Sequence, residues 1–344
     1  MSTLREIADR LGVSTATVSR VLNDKPGVSQ KTRERVLTLA QELQYRPNLA
    51  ARSLATSSTK TVLFLVHRRQ FSAAEDPFYP FIMHGLEEAL KDDGYNVMLV
   101  TLDDAQLAAG PANLRVLQEQ RADALVMAGP DISPKFILAA SILGLTTLLV
   151  DNALRESPFT SVQPQNEEGA HTSTAHLIET HNHTRIVLMR GPQGWASSDE
   201  RTAGYLSAIH AAGLEPFIVE MEDTTTETGE EAAKQTFKEF PETTGIVAVN
   251  DAMAIGAMRA LGRMGRRIPK DVAVVGFDDI SWASYANPPL TTVAIPTVEM
   301  GRLAGRLLLE QMNGSISATT RVRVATQLAI RQSCGCDDEL APAE

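Results

Sequence analysis

A short stretch near the start of the chain, GVSTATVSRVLN, carries small and hydroxyl-bearing side chains beside one arginine. Its valines and leucine recur at helical spacing and predict the buried face of a helix over about residues 15–23. The opposite face then presents Thr15, Ala16, Ser19 and Arg20. Small side chains let a helix approach base edges in the DNA major groove, where hydroxyl groups and arginine hydrogen-bond to bases or phosphates. The stretch therefore has the chemistry needed to read DNA.

Two further predicted helices hold this one in place. Apolar residues from Leu4 to Leu11 predict the first helix, which Gly12 ends. Ser14 and Ser29 stand where the N-caps of the second and third helices belong. The apolar stripe of the third helix is Val36, Leu39, Ala40 and Leu43. Two helices joined by a glycine-containing turn and followed by a support helix are typical of the helix-turn-helix motif.

Other side chains in this region are predicted to contact phosphates, sugars or bases. They are Thr17, Asn23, Ser29, Thr32, Tyr45, Asn48, Ala51 and Ala55. After Pro47, an alanine-rich segment predicts a helix of about two turns, too short to be stable alone, which we expect to fold on DNA. Leu54 has no core there and is suited to wedge between base pairs in the minor groove. The alternatives are that Leu54 packs on the rest of the chain, and that the whole unit is an ordinary small helical domain.

The charge of the chain is unevenly distributed. Residues 1–60 hold ten Lys and Arg against five Asp and Glu, a net charge of +5, whereas the chain of 344 residues carries −10, so the remainder carries −15. A small basic module on an acidic body indicates that only the module meets a polyanion, because the body repels one. Neither a long apolar run nor a basic-then-apolar leader occurs, so a cytoplasmic protein is expected.

Metal, cofactor and catalytic patterns are weak in this sequence. Cys334 and Cys336 are too few for a zinc site without outside ligands, and a bridge between them is unfavourable at this spacing. His181 and His183 lack a nearby third ligand, which favours a loop. The sequence has no dinucleotide fingerprint, phosphate loop or HExxH motif. We therefore predict no metal, no cofactor and no enzyme activity.

From Thr61 onward, apolar runs alternate with helix-length segments. Two groups of runs predict strands at residues 62–66, 97–102, 124–128 and 147–150, and at 186–189, 217–219, 246–249 and 272–276. This alternation predicts an α/β body of two doubly wound parallel sheets. Ligands of such folds bind beyond the carboxyl ends of the strands, so two lobes predict a ligand site in the cleft between them.

The residues that follow these strands are the candidates for ligand binding. The polar candidates are Asp151, Arg201, Asn250 and Asp278, and the aromatic ones are Phe78, Tyr79, Trp195 and Trp282. Carboxylates and an arginine pair well with hydroxyl groups, and aromatic rings cover the apolar face of a sugar ring. The alternatives are ordinary: an Asp after a strand often caps the next helix, and a Trp often serves packing.

Several sequence motifs occur in the order and at the spacing of a known protein family. In the first sixty residues these are IADRLGVSTATVSRVLN, VSQKTRERV and YRPNLAARSLA. In the body they are LIETHNHTRIVLMRGP, DERTAGYLSAI, AVNDAMAIGAMRALGRMGRRIPKDVAVVGFDDI and RQSCG. Over nearly its whole length the sequence resembles the lac-repressor-type (LacI/GalR) family of bacterial transcription regulators.

The resemblance implies a domain organisation and an assembly. The domains implied are a helix-turn-helix domain at 1–46, a hinge helix and linker at 47–60, a periplasmic-binding-protein-like body at 61–333 and a tail at 334–344. The lobes of the body are expected at about 61–160 with 293–320, and at about 161–292 with 321–333. The end of the chain shows no leucine heptad repeat, which favours a homodimer.

The resemblance also implies roles for single residues. Thr15, Ala16 and Arg20 match base-reading positions, Leu54 matches the intercalating hinge leucine, and Ala55 stands where some members carry a lysine. Among the ligand candidates, Arg201 and Asp278 match the most consistent effector contacts, whereas Asp151 and Asn250 match less consistent ones. The loop at residues 67–80, with the sequence DPFY, resembles the sugar-responsive branch.

The favoured hypothesis is a repressor of carbohydrate-utilisation genes. It binds a palindromic operator as a homodimer, and a mono- or disaccharide in the cleft controls operator affinity. One alternative is a regulator controlled by a non-sugar small molecule or by a protein co-regulator. A remote alternative is a two-lobed solute-binding protein, but that class predicts an export signal and no basic module.

Overall fold

The computed structural model describes residues 4–22, 25–45, 58–68, 78–152, 154, 158–316 and 319–336. The chain divides into two compact units, Met1–Thr59 and Lys60–Glu344. Asn23, Asn48, Ala51, Leu54 and Ala55 lie outside the described residues, as does most of the predicted hinge. Their predicted DNA contacts remain predictions.

The first unit contains the three predicted helices. They are α1 (Leu4–Leu11), α2 (Thr15–Leu22) and α3 (Gln30–Glu42). Gly12 ends α1 with a φ of +66°, a left-handed conformation that glycine adopts without strain. Ser14 accepts a hydrogen bond of 3.1 Å from the backbone N–H of Thr17, and Ser29 caps α3 in the same way. The small core is made of Ile7, Ala8, Val18, Val21, Val36 and Ala40.

The second unit contains two sheets of six strands each. The first sheet has the order β11-β5-β4-β3-β1-β2, and all its neighbouring strands are parallel. Its strands are β1 (Thr61–His67), β2 (Asn96–Leu102), β3 (Ala124–Ala128), β4 (Thr146–Val150), β5 (Thr160–Pro164) and β11 (Arg321–Val324). Its helices are α4 (Phe78–Leu90), α5 (Asp104–Ala109), α6 (Arg115–Gln118) and α7 (Pro134–Ala140).

The second sheet has the order β12-β10-β9-β8-β6-β7 and is parallel except for the edge pair β10 and β12. Its strands are β6 (Ile186–Arg190), β7 (Phe217–Glu220), β8 (Gly245–Ala248), β9 (Ala273–Asp278), β10 (Thr291–Ala294) and β12 (Gln327–Ala329). The remaining helices are α8 (Asn166–Glu179), α9 (Ala196–Ala211), α10 (Thr226–Glu239), α11 (Asp251–Arg263), α12 (Ser281–Tyr285) and α13 (Thr297–Met312). The predicted fold class of two doubly wound parallel sheets is confirmed.

The chain passes between the two sheets three times, after β5, after β10 and after β11. Because β5 and β11 belong to the first sheet, two of these passages come a few residues later than the positions 160 and 320 proposed from the sequence. Both strands are short and carry polar side chains, which conceals them from a hydrophobicity pattern. Within the described residues, no helix is long and apolar enough to span a bilayer.

Close helix packing in the second lobe sets the geometry of the ligand site. Gly204 on α9 lies against α8, and a Cβ atom at this position would come within 2.1 Å of the carbonyl oxygen of Glu167. Only glycine permits this approach. The contact brings the first turn of α8, which begins at Asn166, beside Arg201 on α9.

Candidate functional site

A cleft of about 430 Å³, counting the space open at its mouth, lies where the two lobes face each other. The first lobe contributes Phe78, Tyr79, Pro130 and Asp151. The second contributes Trp195, Ser197, Ser198, Arg201, Thr224, Val249, Asn250 and Asp278. Seven of the eight ligand-binding candidates proposed from the sequence therefore line one cleft.

Asp151 is the buried carboxylate of the first lobe. It directly follows β4, and its Oδ2 accepts a hydrogen bond of 2.7 Å from the Tyr79 hydroxyl. Its Oδ1 is buried and has no hydrogen-bond partner among the described residues. Burial raises the pKa of Asp151 to about 6, although the positive charge of Arg201 and the Tyr79 hydrogen bond both lower it. Buried polar atoms are normally hydrogen-bonded, so this oxygen is a candidate for contact with a bound molecule.

Arg201 is the cationic centre of the second lobe and is 6% exposed. Its Nε donates to Asn166 Oδ1 at 2.9 Å, its Nη1 donates to the carbonyl oxygen of Val249, and its Nη2 lies 3.0 Å from Asp278 Oδ1. The guanidinium also lies over the Phe277 ring, 3.8 Å from the centroid. These contacts hold the guanidinium in one orientation at the cleft.

Asp278 ends β9 in an unusual backbone conformation. Its φ is +112°, and the next residue, Asp279, has a φ of +56°. The loop is held by Asp251, which is fully buried and accepts a hydrogen bond of 2.9 Å from the backbone N–H of Ile280. Non-glycine residues in this region are strained, and such strain is concentrated at binding sites. Asp251 is thus a positioning residue for Asp278.

Asn250 lines the cleft, but its side chain also has a structural task. Its Oδ1 accepts from the backbone N–H of Met253 and caps α11, and its Nδ2 donates to the carbonyl oxygen of Thr224, each at 2.9 Å. Trp195 lies on a loop shaped by Asp199, which accepts from the backbone N–H of Gly194 at 3.0 Å and contacts Arg190. Asn250 therefore caps a helix, which is the ordinary alternative to ligand binding for a polar residue after a strand.

Trp282, the eighth candidate, does not line this cleft, so its ligand contact stays a prediction. It lies on α12, and its side chain is 50% exposed. Phe78 and Tyr79, by contrast, are buried in the first turn of α4 and contact each other edge to face.

The sequence did not point to Asn166, Glu200 or Arg323, which support the site. Asn166 Nδ2 donates to Glu200 Oε2 at 3.0 Å, so one side chain joins Glu200 to Arg201. Arg323 on β11 forms a two-pronged ion pair with Glu200 on α9 at 2.6 and 2.7 Å and so connects the lobes. The signal that could have found two of them is strand position. Asn166 follows the end of β5, and Arg323 lies on β11, just before the chain passes to the other lobe.

The candidate DNA interface is the exposed face of α2. Thr15, Ala16 and Arg20 are exposed, whereas Thr17 and Ser19 are half-buried. The hydroxyl groups of Thr17 and Ser14 are hydrogen-bonded at 2.9 Å, and those of Thr32 and Ser29 at the same distance, so these residues cap helices. Tyr45 packs against the core of the first unit. Among the described residues, the exposed candidates on α2 are therefore Thr15 and Ala16 in its first turn and Arg20 in its last turn.

The His181 and His183 rings lie 6.3 Å apart between centroids, but their side chains make different polar contacts. His183 Nδ1 lies 3.1 Å from the Thr244 hydroxyl, whereas His181 lies beside His176, Cys334 and Cys336. The two cysteines are buried in the core of the second lobe instead of lying in a tail. The ligands that the sequence lacked near His181 are therefore supplied by the fold.

A three-helix DNA-reading unit followed by a two-lobed α/β body with a polar cleft has the architecture of a DNA-binding transcription regulator. Residues 3–48 match the family described as bacterial regulatory proteins, lacI family, and residues 174–334 match the periplasmic binding protein-like domain. The HTH-type transcriptional regulator CelR of Thermobifida fusca is 34% identical over 342 residues, covering 96% of this chain and 98% of that protein. The HTH-type transcriptional repressor PurR of Photobacterium profundum is 32% identical, covering 97% of this chain and 98% of that protein.

Solved structures give the same relationship. The structure of the transcriptional regulator CelR–cellobiose complex superposes on this chain with a TM-score of 0.72 and is 31% identical in sequence. The match covers 97% of this chain and 100% of that chain. The lac repressor dimer bound to operator and the anti-inducer ONPF has a TM-score of 0.85 and 27% identity, covering 97% of this chain and 99% of that chain. The chain belongs to the lacI family of bacterial regulatory proteins. It is therefore a transcription regulator that binds DNA, and not an enzyme, as the sequence predicted.

Proposed function

We propose that this regulator represses carbohydrate-utilisation genes and that a mono- or disaccharide bound in the cleft sets its operator affinity. The observation that carries the proposal is the cleft itself. It places the buried carboxylate of Asp151, with Oδ1 free of hydrogen bonds from described residues, opposite the fixed Arg201 and Asp278 pair.

The chemistry of the cleft suits hydroxyl groups. A hydroxyl donates to a carboxylate oxygen and accepts from a guanidinium, so Asp151 on one lobe and Arg201 on the other can bind hydroxyl groups on two sides of a sugar ring. Phe78 and Trp195 add aromatic surface to the lining, which suits the apolar face of the ring. The cellobiose complex of CelR, which is similar to this chain over nearly its whole length, supports the same class of ligand.

Control of DNA binding requires two helix-turn-helix units, here called headpieces, and two arrangements of the lobes. One α2 helix contacts few bases, so we propose that a homodimer places two such helices on a palindromic operator, as the dimeric lac repressor structure suggests. A saccharide that contacts both lobes binds the two lobe arrangements with different affinity and so shifts the balance between them. The predicted hinge at residues 47–60, including Leu54, then transmits the shift to the headpieces.

Titration calorimetry on the full chain tests the ligand class. The panel contains cellobiose, glucose, ribose and other mono- and disaccharides, and the Arg201→Ala variant serves as the non-binding control. We expect at least one saccharide to bind the unmodified chain with about one ligand per subunit and to lose its binding to the variant. If no saccharide binds a folded, operator-binding preparation, a non-sugar ligand or a protein co-regulator becomes the better assignment.

A further inference from the structure

Four side chains of the second lobe converge on one point that is separate from the cleft. They are His176, His181, Cys334 and Cys336, and their ligand atoms all lie within 4.8 Å of one another. We propose that this cluster binds a single zinc ion through two thiolates and two imidazoles. This inference is independent of the ligand proposed for the cleft.

The spacing of the ligand atoms fits tetrahedral zinc. Cys336 Sγ lies 3.3 Å from His181 Nε2 and 3.6 Å from His176 Nε2. Around a tetrahedral zinc ion with Zn–S bonds of about 2.3 Å and Zn–N bonds of about 2.0 Å, neighbouring sulfur and nitrogen ligands are about 3.5 Å apart. The ligands are therefore already close to the positions that zinc requires.

The fold prepares the cysteines for this role. Gly335 between them has a φ of +109°, and a Cβ atom there would lie 3.1 Å from His181 Nδ1, so glycine allows the backbone to fold against the histidine ring. Ser333 accepts a hydrogen bond of 2.8 Å from the backbone N–H of Thr291, and the Thr291 hydroxyl donates to Cys334 Sγ at 3.1 Å. A hydrogen bond to a ligating sulfur is a common outer contact of metal sites.

The histidines are oriented in the same way. The Nδ1 of His176 lies 3.3 Å from the Thr180 hydroxyl, which leaves its Nε2 directed to the cluster. Both cysteines are buried, at 1% and 6% exposure. Two thiolates balance the charge of a zinc ion, so the occupied cluster is neutral inside the lobe.

Without a metal, the cluster would be held by weak sulfur hydrogen bonds. The Cys336 thiol can donate to one imidazole and accept from the other, and Cys334 Sγ lies 3.4 Å from the carbonyl oxygen of Arg331. A donor set of two sulfurs and two nitrogens with tetrahedral spacing is typical of structural zinc. The geometry thus favours zinc over a set of thiol hydrogen bonds.

The cluster lies away from the cleft, which indicates a role in stability. His176 lies near the end of α8, about 15 Å along the helix axis from Asn166, which contacts Arg201 at the cleft. The ion would fasten the segment of residues 334–336 to α8 and to the loop that follows it. We therefore expect zinc to stabilise the second lobe and not to contact the effector.

The experiment uses the full chain purified under reducing conditions and equilibrated with zinc chloride, then freed of excess metal by gel filtration. Zinc per chain is measured by inductively coupled plasma mass spectrometry. The apoprotein is also titrated with cobalt chloride, because thiolate ligation gives cobalt a charge-transfer band in the near ultraviolet. The variants are Cys336→Ser and, as the matched control from the same loop, His183→Gln.

We expect about one zinc per chain in the unmodified protein and in His183→Gln, with a thiolate–cobalt band in both. Cys336→Ser is expected to bind zinc about 100-fold more weakly or worse, because one of the four ligands is removed. If that variant does not fold, the unmodified chain decides the question by itself. A chain that retains no zinc, a cobalt complex without the thiolate band, or a disulfide between Cys334 and Cys336 in the reduced preparation overturns the proposal.

Discussion

Tyr79 donates a hydrogen bond of 2.7 Å to Asp151 and thereby joins the first turn of α4 to the carboxyl end of β4. The bond occupies one carboxylate oxygen and leaves Oδ1 without a partner among the described residues, and we propose that Oδ1 binds a ligand hydroxyl group. Because Asp151 is buried, the hydrogen bond also offsets part of the cost of keeping its charge out of water. The same pair therefore affects stability, the pKa of the carboxyl group and ligand binding.

The Tyr79→Phe substitution tests this pair. Removal of the hydroxyl leaves a buried carboxylate without its donor, so the free energy of unfolding at pH 8 should fall by about 1–3 kcal/mol. Saccharide affinity should also fall, because Asp151 loses the contact that orients it. Urea unfolding and calorimetry measure the two effects. Tyr285→Phe is the matched control, because Tyr285 is 81% exposed and should change neither quantity.

The Asp151→Asn substitution should make stability less dependent on pH. The folded-state pKa of about 6 lies above the ordinary value of 3.8, so the folded chain binds this proton more tightly than the unfolded chain. The contribution of Asp151 to stability therefore falls as pH rises from about 4 to 6 and stays low above that. Asn cannot ionise, so the variant should be more stable than the parent at pH 8 by up to about 3 kcal/mol.

Urea unfolding of both chains from pH 4 to pH 8 measures this difference. A gap that is absent at pH 8, or that grows toward pH 4, contradicts the assignment of a raised pKa. Saccharide binding should move in the opposite direction from stability. The ionised carboxylate accepts from hydroxyl groups, so the affinity of the parent chain should weaken below pH 6, whereas the variant should bind weakly at every pH.

Arg201→Ala should abolish the response to the effector and also lower stability. It leaves the buried carboxylate of Asp278 without its partner, and breaking a buried ion pair in this way costs about 3–5 kcal/mol. Binding is measured by calorimetry at a temperature where circular dichroism shows the variant to be folded. Arg185→Ala is the control, since Arg185 is 47% exposed and pairs with Glu242 at 3.4 Å on the surface. Normal saccharide affinity in a folded Arg201→Ala variant removes this residue from the site.

Gly204→Ala should loosen the packing of α9 on α8. A Cβ atom 2.1 Å from the carbonyl oxygen of Glu167 forces the helices apart, which costs about 1–3 kcal/mol and displaces Arg201 from Asn166. Gly262→Ala is the matched control, because no atom lies within 4 Å of the added Cβ on α11. Alanine should stabilise that helix by up to about 1 kcal/mol. Equal effects of the two substitutions in thermal unfolding would show that the α8–α9 contact is not tight.

Arg20→Ala should weaken operator binding and relax its specificity. An exposed arginine one turn into α2 can contact a guanine edge, and loss of such a contact costs about 1–3 kcal/mol at one base position. Arg10→Ala is the control, because Arg10 lies on α1 and pairs with Glu6 at 2.8 Å. Binding of both variants to a set of single-base operator mutants distinguishes base reading from phosphate contact. A uniform loss across all sequences assigns Arg20 to phosphate.

The sequence was sufficient to predict the strands that are mainly apolar. All eight predicted strands are present, because buried parallel strands produce continuous hydrophobic runs. β5, β10, β11 and β12 were not predicted. Length does not explain the difference, because the predicted strands β7 and β8 have only four residues each. The sequences TSVQP and RVRV of β5 and β11 are instead largely polar. Their pairing depends on neighbours that are distant in the chain.

The ligand site was predictable to a similar degree. Asp151 and Asp278 were found because they end strands, and parallel strands bring their carboxyl ends to one edge. The hydrogen bond between Tyr79 and Asp151 joins residues 72 apart, and the cluster of His176 with Cys336 joins residues 160 apart. No local pattern contains such relationships. Trp282 is close in sequence to Asp278, yet it lies on α12 outside the cleft lining, which sequence distance alone does not reveal.

The most direct test of the account measures operator affinity with and without ligand. An inverted-repeat duplex selected from random sequences is labelled, and its binding to the full chain is followed by fluorescence anisotropy at fixed salt. A saccharide that binds the cleft should change the operator Kd by about tenfold or more in the parent chain, and should leave Kd unchanged in Arg201→Ala. An operator Kd that stays the same when the cleft is saturated contradicts the account.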